Sequence, residues 1–233
     1  MKSKLLVVSS PHLKDPMTTS KLMLSVVIAM IPTAIAATVL YGLRAFMLIC
    51  VCIASCIIFE YLYNVLTGQP NTVSDCSCAV TGMLLAFNLP STFPFWMAMV
   101  GCFVAIVIVK MLFGGIGKNM FNPALAARAF MFSWPVAMST WVKVGWENQA
   151  GIFSAVDAVT EATPLAAMHQ GLMPDVSVWD LFLGNVGGCI GETSVVLLLV
   201  GLVYLLARKI ITLRIPLAYV GTVAVLSLLF PMG

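Results

Sequence analysis

The chain has 233 residues, of which 61% are apolar and only 9% are charged, against roughly 25% charged in an ordinary soluble domain. So few charges cannot clothe a water-soluble domain of this size. The composition excludes a soluble enzyme, a disordered chain and a nucleic-acid binder, and it points to lipid as the main solvent. The net charge of +3 is too small to argue for nucleic acid and is of the kind that basic cytoplasmic loops give membrane proteins.

Residues 1–21 read as a polar cytoplasmic leader. No signal peptide is evident, because the first apolar run begins near Leu22 and is too long for an h-region. A hydrocarbon core of about 30 Å needs roughly 20 apolar residues as helix. Leu22–Tyr41 meets this, with Pro32 as a tolerated kink. Phe46–Leu66 meets it and carries one acid, Glu60. Cys76–Leu89, with Gly82 and Asn88, reads as a short or broken helix. Phe95–Phe113 fits, and Phe121–Val142 fits if Pro135 bends it. The one long hydrophilic stretch is 143–180, with Glu147, Asp157, Glu161, Asp175 and Asp180 against Lys143; a loop of this length is usually functional. Leu181–Ala207 is long enough to tilt, and Pro216–Phe230 opens a last span before the chain stops at Gly233. The expectation is an all-α polytopic membrane protein of about seven transmembrane helices. Its parts are the leader 1–21, about five helices in 22–142, an extracytoplasmic loop 143–180 and further helices in 181–233.

Basic residues orient this order. With the N-terminus cytoplasmic and all seven segments crossing, Lys2, Lys4, Lys14, Lys21, Lys110, Lys118, Arg128, Arg208, Lys209 and Arg214 fall inside. Only Arg44 and Lys143 of the 12 basic residues fall outside, a strong positive-inside bias. Making Cys76–Leu89 re-entrant reverses everything after it and destroys the bias.

Several short patterns carry chemistry or imitate it. The seven cysteines lie mostly in apolar runs and show no disulfide framework. Cys76-Ser77-Cys78 offers two thiolates, too few for a metal. His12 and His169 are lone loop histidines. Gly114-Gly115-Ile116-Gly117-Lys118-Asn119 lacks the first glycine of a phosphate loop and has Asn119 where Ser or Thr belongs, so it reads as a tight turn. Asn122-Pro123-Ala124 is similar to an aquaporin box but occurs once; Asn122 as N-cap with Pro123 at the first helical position explains it. Gly184–Gly191 permits close helix approach. Glu192, in the same expected span, costs about 2.5–3.5 kcal/mol as a charge near mid-bilayer. It therefore faces the interior or is protonated, as an ion ligand or a partner of Arg128. Glu60 invites the same hypothesis. Trp96, Trp134, Trp141, Trp146 and Trp179 read mainly as an interfacial belt.

In the hydrophilic loop stands Asp157-Ala158-Val159-Thr160-Glu161-Ala162-Thr163-Pro164. Taken locally, it is a helix start with Pro at the first position. An Asp-x-x-Ser/Thr-x-Ala-Thr run in an outward loop also resembles the flavinylation signal of the NqrB/RnfD family. Three further stretches resemble that family, in order: Ser10-Pro11-His12 with Thr18-Thr19-Ser20-Lys21-Leu22-Met23, then Gly114–Ala124, then Gly184–Ser194. The resemblance is greatest to the RnfD branch, the D component of the Rnf ion-translocating ferredoxin–NAD oxidoreductase. The NqrB branch, from the sodium-pumping NADH–quinone reductase, is the runner-up. The resemblance implies a multi-pass protein of the bacterial inner membrane, within a translocating oxidoreductase. Members carry FMN covalently as a phosphoester on the final Thr, here Thr163, on the extracytoplasmic side. Asp157, Thr160 and Ala162 complete the motif, with Thr160 the fallback anchor. Glu161 stands where many members have Gly. The resemblance further implies other membrane and peripheral Rnf subunits and a flavin transferase as partners. It also implies a second, noncovalent flavin (riboflavin or FMN), for which Asn119, Asn122, Arg128 and Glu192 are the polar candidates. Family members continue past Gly233, so C-terminal helices are expected beyond it. No dinucleotide fingerprint or complete NAD site is present. A channel or small-solute transporter is the competing class, since an Asn-Pro-Ala helix start and intramembrane acids also suit it.

Overall fold

The computed structural model describes residues 17–142, 163–169, 176–192 and 194–230. The described residues form helices and no strand. Two helices are long and apolar enough to cross a bilayer alone: α1 (Thr19–Tyr41) and α2 (Leu43–Thr67), joined by Gly42. The other elements are shorter. A 3-10 turn (Val73–Asp75) leads into α3 (Ser77–Phe87). Next, α4 (Phe95–Phe103) widens into a π-helix over Val104–Met111. After a glycine-rich turn come α5 (Pro123–Met131), α6 (Pro135–Met138), α7 (Pro164–His169) and α8 (Val178–Leu183). A 3-10 turn (Ile190–Glu192) precedes α9 (Val195–Ala207) and α10 (Arg214–Leu229).

The packing centres on α2, against which α1, α3, α4 and the π-helix all lie. The α2–α3 contact is tight because of Gly82. A Cβ there would stand 2.8 Å from the Cys52 carbonyl oxygen and 2.9 Å from Ile53 Cα, so only a residue without a side chain lets these backbones meet. Tyr41, Leu48, Leu85, Leu89, Phe93, Ile106 and Met131 fill the core between the helices. Large apolar side chains also face outward, among them Ile35, Leu66 and Leu228 at 60%, 84% and 81% exposure. In water such a surface would aggregate; in lipid it is the expected exterior. Two hydroxyls of α1 are satisfied within their own helix: Ser25 donates to the Lys21 carbonyl and Thr38 to that of Ala34, each at 2.8 Å, as a segment without water requires.

Three expected spans come out differently. Phe121–Val142 is not one bent helix: α5 stops at Met131 and α6 starts afresh at Pro135. Pro135 disfavours helical geometry at Trp134 and supplies no N–H, yet suits a first helical position. Leu181–Ala207 is not one tilted helix either. It breaks after Leu183 and resumes at Val195, because Gly184, Gly187, Gly188 and Gly191 each weaken a helix by about 1 kcal/mol. Phe95–Phe113 is continuous to Met111, but its second half is π-helical. Cys76–Leu89 is short, as expected: α3 has 11 residues, about half the length that spans a bilayer alone.

Candidate functional site

Short α3 carries a buried polar cluster at each end. At its N-terminus, the Asp75 carboxylate accepts the Ser77 N–H at 2.8 Å. The Ser77 hydroxyl oxygen accepts from the Lys110 ammonium, which the π-helix delivers to this point. Lys110 also forms an ion pair with Glu60 of α2, the only salt bridge among the described residues. Both side chains are essentially sealed from solvent, at 3% and 0% exposure. The other Glu60 oxygen accepts from the Thr72 hydroxyl at 2.7 Å, and Asn64, one turn along α2, donates to Thr72 at 3.1 Å. Asn64 Oδ1 is buried with no hydrogen-bond partner among the described residues. Charge neutrality and this hydrogen-bond shell are what allow two ions to remain buried.

Beyond the C-terminus of α3, the chain from Leu89 to Phe93 is buried but irregular. Its carbonyls need donors, and side chains supply them. Arg44, at the start of α2, donates to the carbonyls of Ser91 (3.2 Å) and Thr92 (3.1 Å) and sits over the Phe95 ring at 5.2 Å. The Ile190 N–H reaches the Leu89 carbonyl at 3.0 Å. Arg128 of α5 donates to Asn88 Oδ1 at 2.6 Å and approaches Cys189 Sγ at 3.7 Å. Glu192 accepts the Cys189 N–H at 3.1 Å, so its carboxylate organises the 3-10 turn. The Tyr41 hydroxyl donates to the Val186 carbonyl at 3.2 Å.

This geometry redistributes the residues singled out from sequence. Of the alternatives for Glu192, the pair with Arg128 is not formed: Arg128 turns to Asn88, and Glu192, exposed and outside any α-helix, bonds backbone. The glycine-induced break displaces Glu192 from the mid-helix position that the pairing assumed. Asn122 caps α5, its Oδ1 accepting from Ala124 N at 3.0 Å, with Pro123 first in the helix. The capping reading therefore accounts for the Asn-Pro-Ala stretch without a pore. Gly114, Gly115 and Gly117 all adopt positive φ, the tight turn expected, and the Asn119 amide folds onto the Lys110 and Gly115 carbonyls. No group of three potential metal ligands converges among the described residues. Trp96 and Trp134 stack edge to face at 6.1 Å between centroids. Thr163 is half-buried immediately before α7, its carbonyl accepting the Ala167 N–H at 3.0 Å. Asp157, Thr160 and Ala162 lie outside the described residues, as do His12 and Trp146.

Sequence reasoning missed the Glu60–Lys110 pair, reading Lys110 as a flanking positive charge. The signal was present: Lys110 follows eight apolar residues and precedes three more. A cation so embedded needs an anion, and Glu60 is the acid in the preceding apolar helix. Arg44 was missed because its partners are backbone carbonyls, and Asn88 because its partner Arg128 lies 40 residues away in sequence; neither leaves a trace in composition.

Together, the apolar exterior, the internally satisfied helices and the sealed ion pair define a helical membrane protein. The model of the NQR2, RnfD, RnfE family matches residues 6–233. The D subunit of the Na(+)-translocating ferredoxin:NAD(+) oxidoreductase complex of Acetobacterium woodii is 44% identical, over 97% of this chain and 69% of its own length. The D subunit of the proton-translocating ferredoxin:NAD(+) oxidoreductase complex of Clostridium ljungdahlii is 39% identical, over 95% and 68%. The D subunit of the ion-translocating oxidoreductase complex of Rhodobacter capsulatus is 34% identical, over 94% and 68%. The chain belongs to the NQR2, RnfD, RnfE family.

Proposed function

We propose that this chain is the D subunit of an Rnf-type complex of the bacterial inner membrane, one that couples electron transfer between ferredoxin and NAD to movement of sodium ions or protons. The observation that carries this reading is 44% identity along 97% of the chain to a protein so named. The remaining Rnf subunits are then its partners, and NAD binds elsewhere in the complex.

Within that complex the chain carries FMN through a phosphoester on Thr163, on the extracytoplasmic side. Thr163 supplies the hydroxyl oxygen that such a bond requires, on a residue that opens a short helix rather than sitting within one. Asp157, Thr160 and Ala162 form the recognition segment for a flavin transferase. A bound flavin supplies electron-relay chemistry, which is the cofactor's own and not that of the side chains holding it. The tether keeps that group at an effective concentration on the order of mM where a weakly held cofactor would be lost to the outside volume.

The fit is different for a second, noncovalent flavin. Asn122 Oδ1 is engaged by its own helix, Arg128 by Asn88 and Cys189, and Glu192 by backbone. These residues do not present a shared polar set to a ring system, and the second flavin forms no part of the proposal.

The test is mass spectrometry of the Thr163 peptide from protein made together with the transferase. An added flavin mononucleotide is expected, and T163V is expected to insert and fold without it. A fluorescent flavin band that persists on a denaturing gel of T163V would overturn the assignment, and Thr160 is then the residue to examine.

A further inference from the structure

Three cysteines from two helices meet in the core. Cys52 and Cys56 lie one turn apart on α2, and Cys102 lies on α4. All three are fully buried and free. The Cys102 thiol reaches the Cys52 backbone carbonyl at 3.6 Å, which sets it against the turn of α2 that carries Cys52 and Cys56. The group does not converge on a point that a metal could occupy. Its chemistry is therefore that of sulfur pairs. Of the other four cysteines, Cys50 is exposed, Cys76 is half-buried, Cys189 faces Arg128, and Cys78 is buried on α3.

We propose that Cys102 and one thiol of α2, Cys52 or Cys56, form a buried dithiol that closes to a disulfide across the α2–α4 contact. Two S–H bonds break, one S–S bond forms, and two protons and two electrons leave. Polar oxidants do not enter this apolar interior, so the oxidant is neutral and lipid-permeable. An azodicarboxamide meets the requirement: its N=N bond takes both electrons and both protons and becomes a hydrazine. The bond would fix the same pair of elements that holds the buried ions. Glu60 follows Cys56 by one turn of α2, and Lys110 lies on the π-helical continuation of α4. The site is thus a redox-sensitive clamp on the interface carrying the Glu60–Lys110 pair.

The experiment uses native membranes containing the full complex. They are treated with diamide, blocked with N-ethylmaleimide, and analysed by peptide mass spectrometry without and with reduction. The expected product is a reducible peptide pair joining Cys102 to Cys52 or Cys56, with two of the seven thiols lost to alkylation after unfolding. C102A should abolish the pair, while C50A should retain it. C52A and C56A show which partner is used. A second measurement needs no variant. Phenylarsine oxide, a permeable trivalent arsenical that bridges adjacent thiols, should protect Cys102 from alkylation until a small dithiol removes it. Absence of any linked peptide containing Cys102 under conditions that oxidise a control dithiol in the same bilayer, together with no arsenical protection, would overturn the proposal. So would loss of the same two thiols in C102A.

Discussion

Replacing Lys110 with methionine tests whether the ion pair between α2 and the π-helix is a structural requirement. Methionine approximates the lysine stem in volume, so packing is largely kept while the charge goes. Glu60 then has no counter-ion; its carboxylate keeps only the Thr72 hydroxyl, and the side chain is 0% exposed. Breaking a buried pair by removing one partner costs about 3–5 kcal/mol. At 1.36 kcal/mol per tenfold, the middle of that range is a shift in the folding equilibrium of nearly a thousandfold. The double variant E60Q/K110M removes both charges together. Its glutamine retains an oxygen for Thr72 and offers an amide that Ser77 can accept, so we expect it to cost no more than about 1–2 kcal/mol. The assay is reversible unfolding in mixed micelles, followed by the fluorescence of the five tryptophans. A K110M variant within about 1 kcal/mol of the parent would refute the reasoning. So would a double variant as unstable as the two single costs summed, because sites in contact should couple strongly.

Two further predictions follow from the other end of α3 and from α5. Arg44→Met strips donors from the Ser91 and Thr92 carbonyls; at about 1–3 kcal/mol for each unsatisfied buried group, the thermal midpoint in micelles should drop and amide exchange in 89–94 should rise, and unchanged exchange there would contradict the role given to Arg44. Asn122→Ala should cost about 1 kcal/mol through loss of the α5 cap, and Asn122→Ser should restore most of it; a serine variant as unstable as the alanine one would show that Asn122 does more than cap.

The helical class and the membrane setting were legible because both follow from composition and run length, which depend on no particular contact. Asn122 was legible for the same reason: capping is decided within four residues. The breaks were not legible. The run Leu181–Ala207 is apolar enough to pass for one helix, and only its glycine density argued otherwise. Apolar content describes the solvent, whereas glycine decides whether backbone can depart from a helix in the protein interior. Pairing with Arg128 was one of three alternatives for Glu192, and the structure instead brings each of the two residues to Cys189. Which of two acceptors a guanidinium chooses depends on ångström-scale placement of Asn88 and Cys189, and that follows from tertiary packing.

The π-helical stretch from Val104 to Met111 has a consequence for how this region tolerates change in length. Each of its turns holds one more residue than an ordinary helical turn. Removing a single residue from the stretch would let the backbone relax toward regular winding instead of breaking it. The same deletion would swing the lysine near its end away from its glutamate partner. Helical continuity and charge burial would thus part company there, so a shortened variant can remain helical and still lose the feature that the wide turns exist to position.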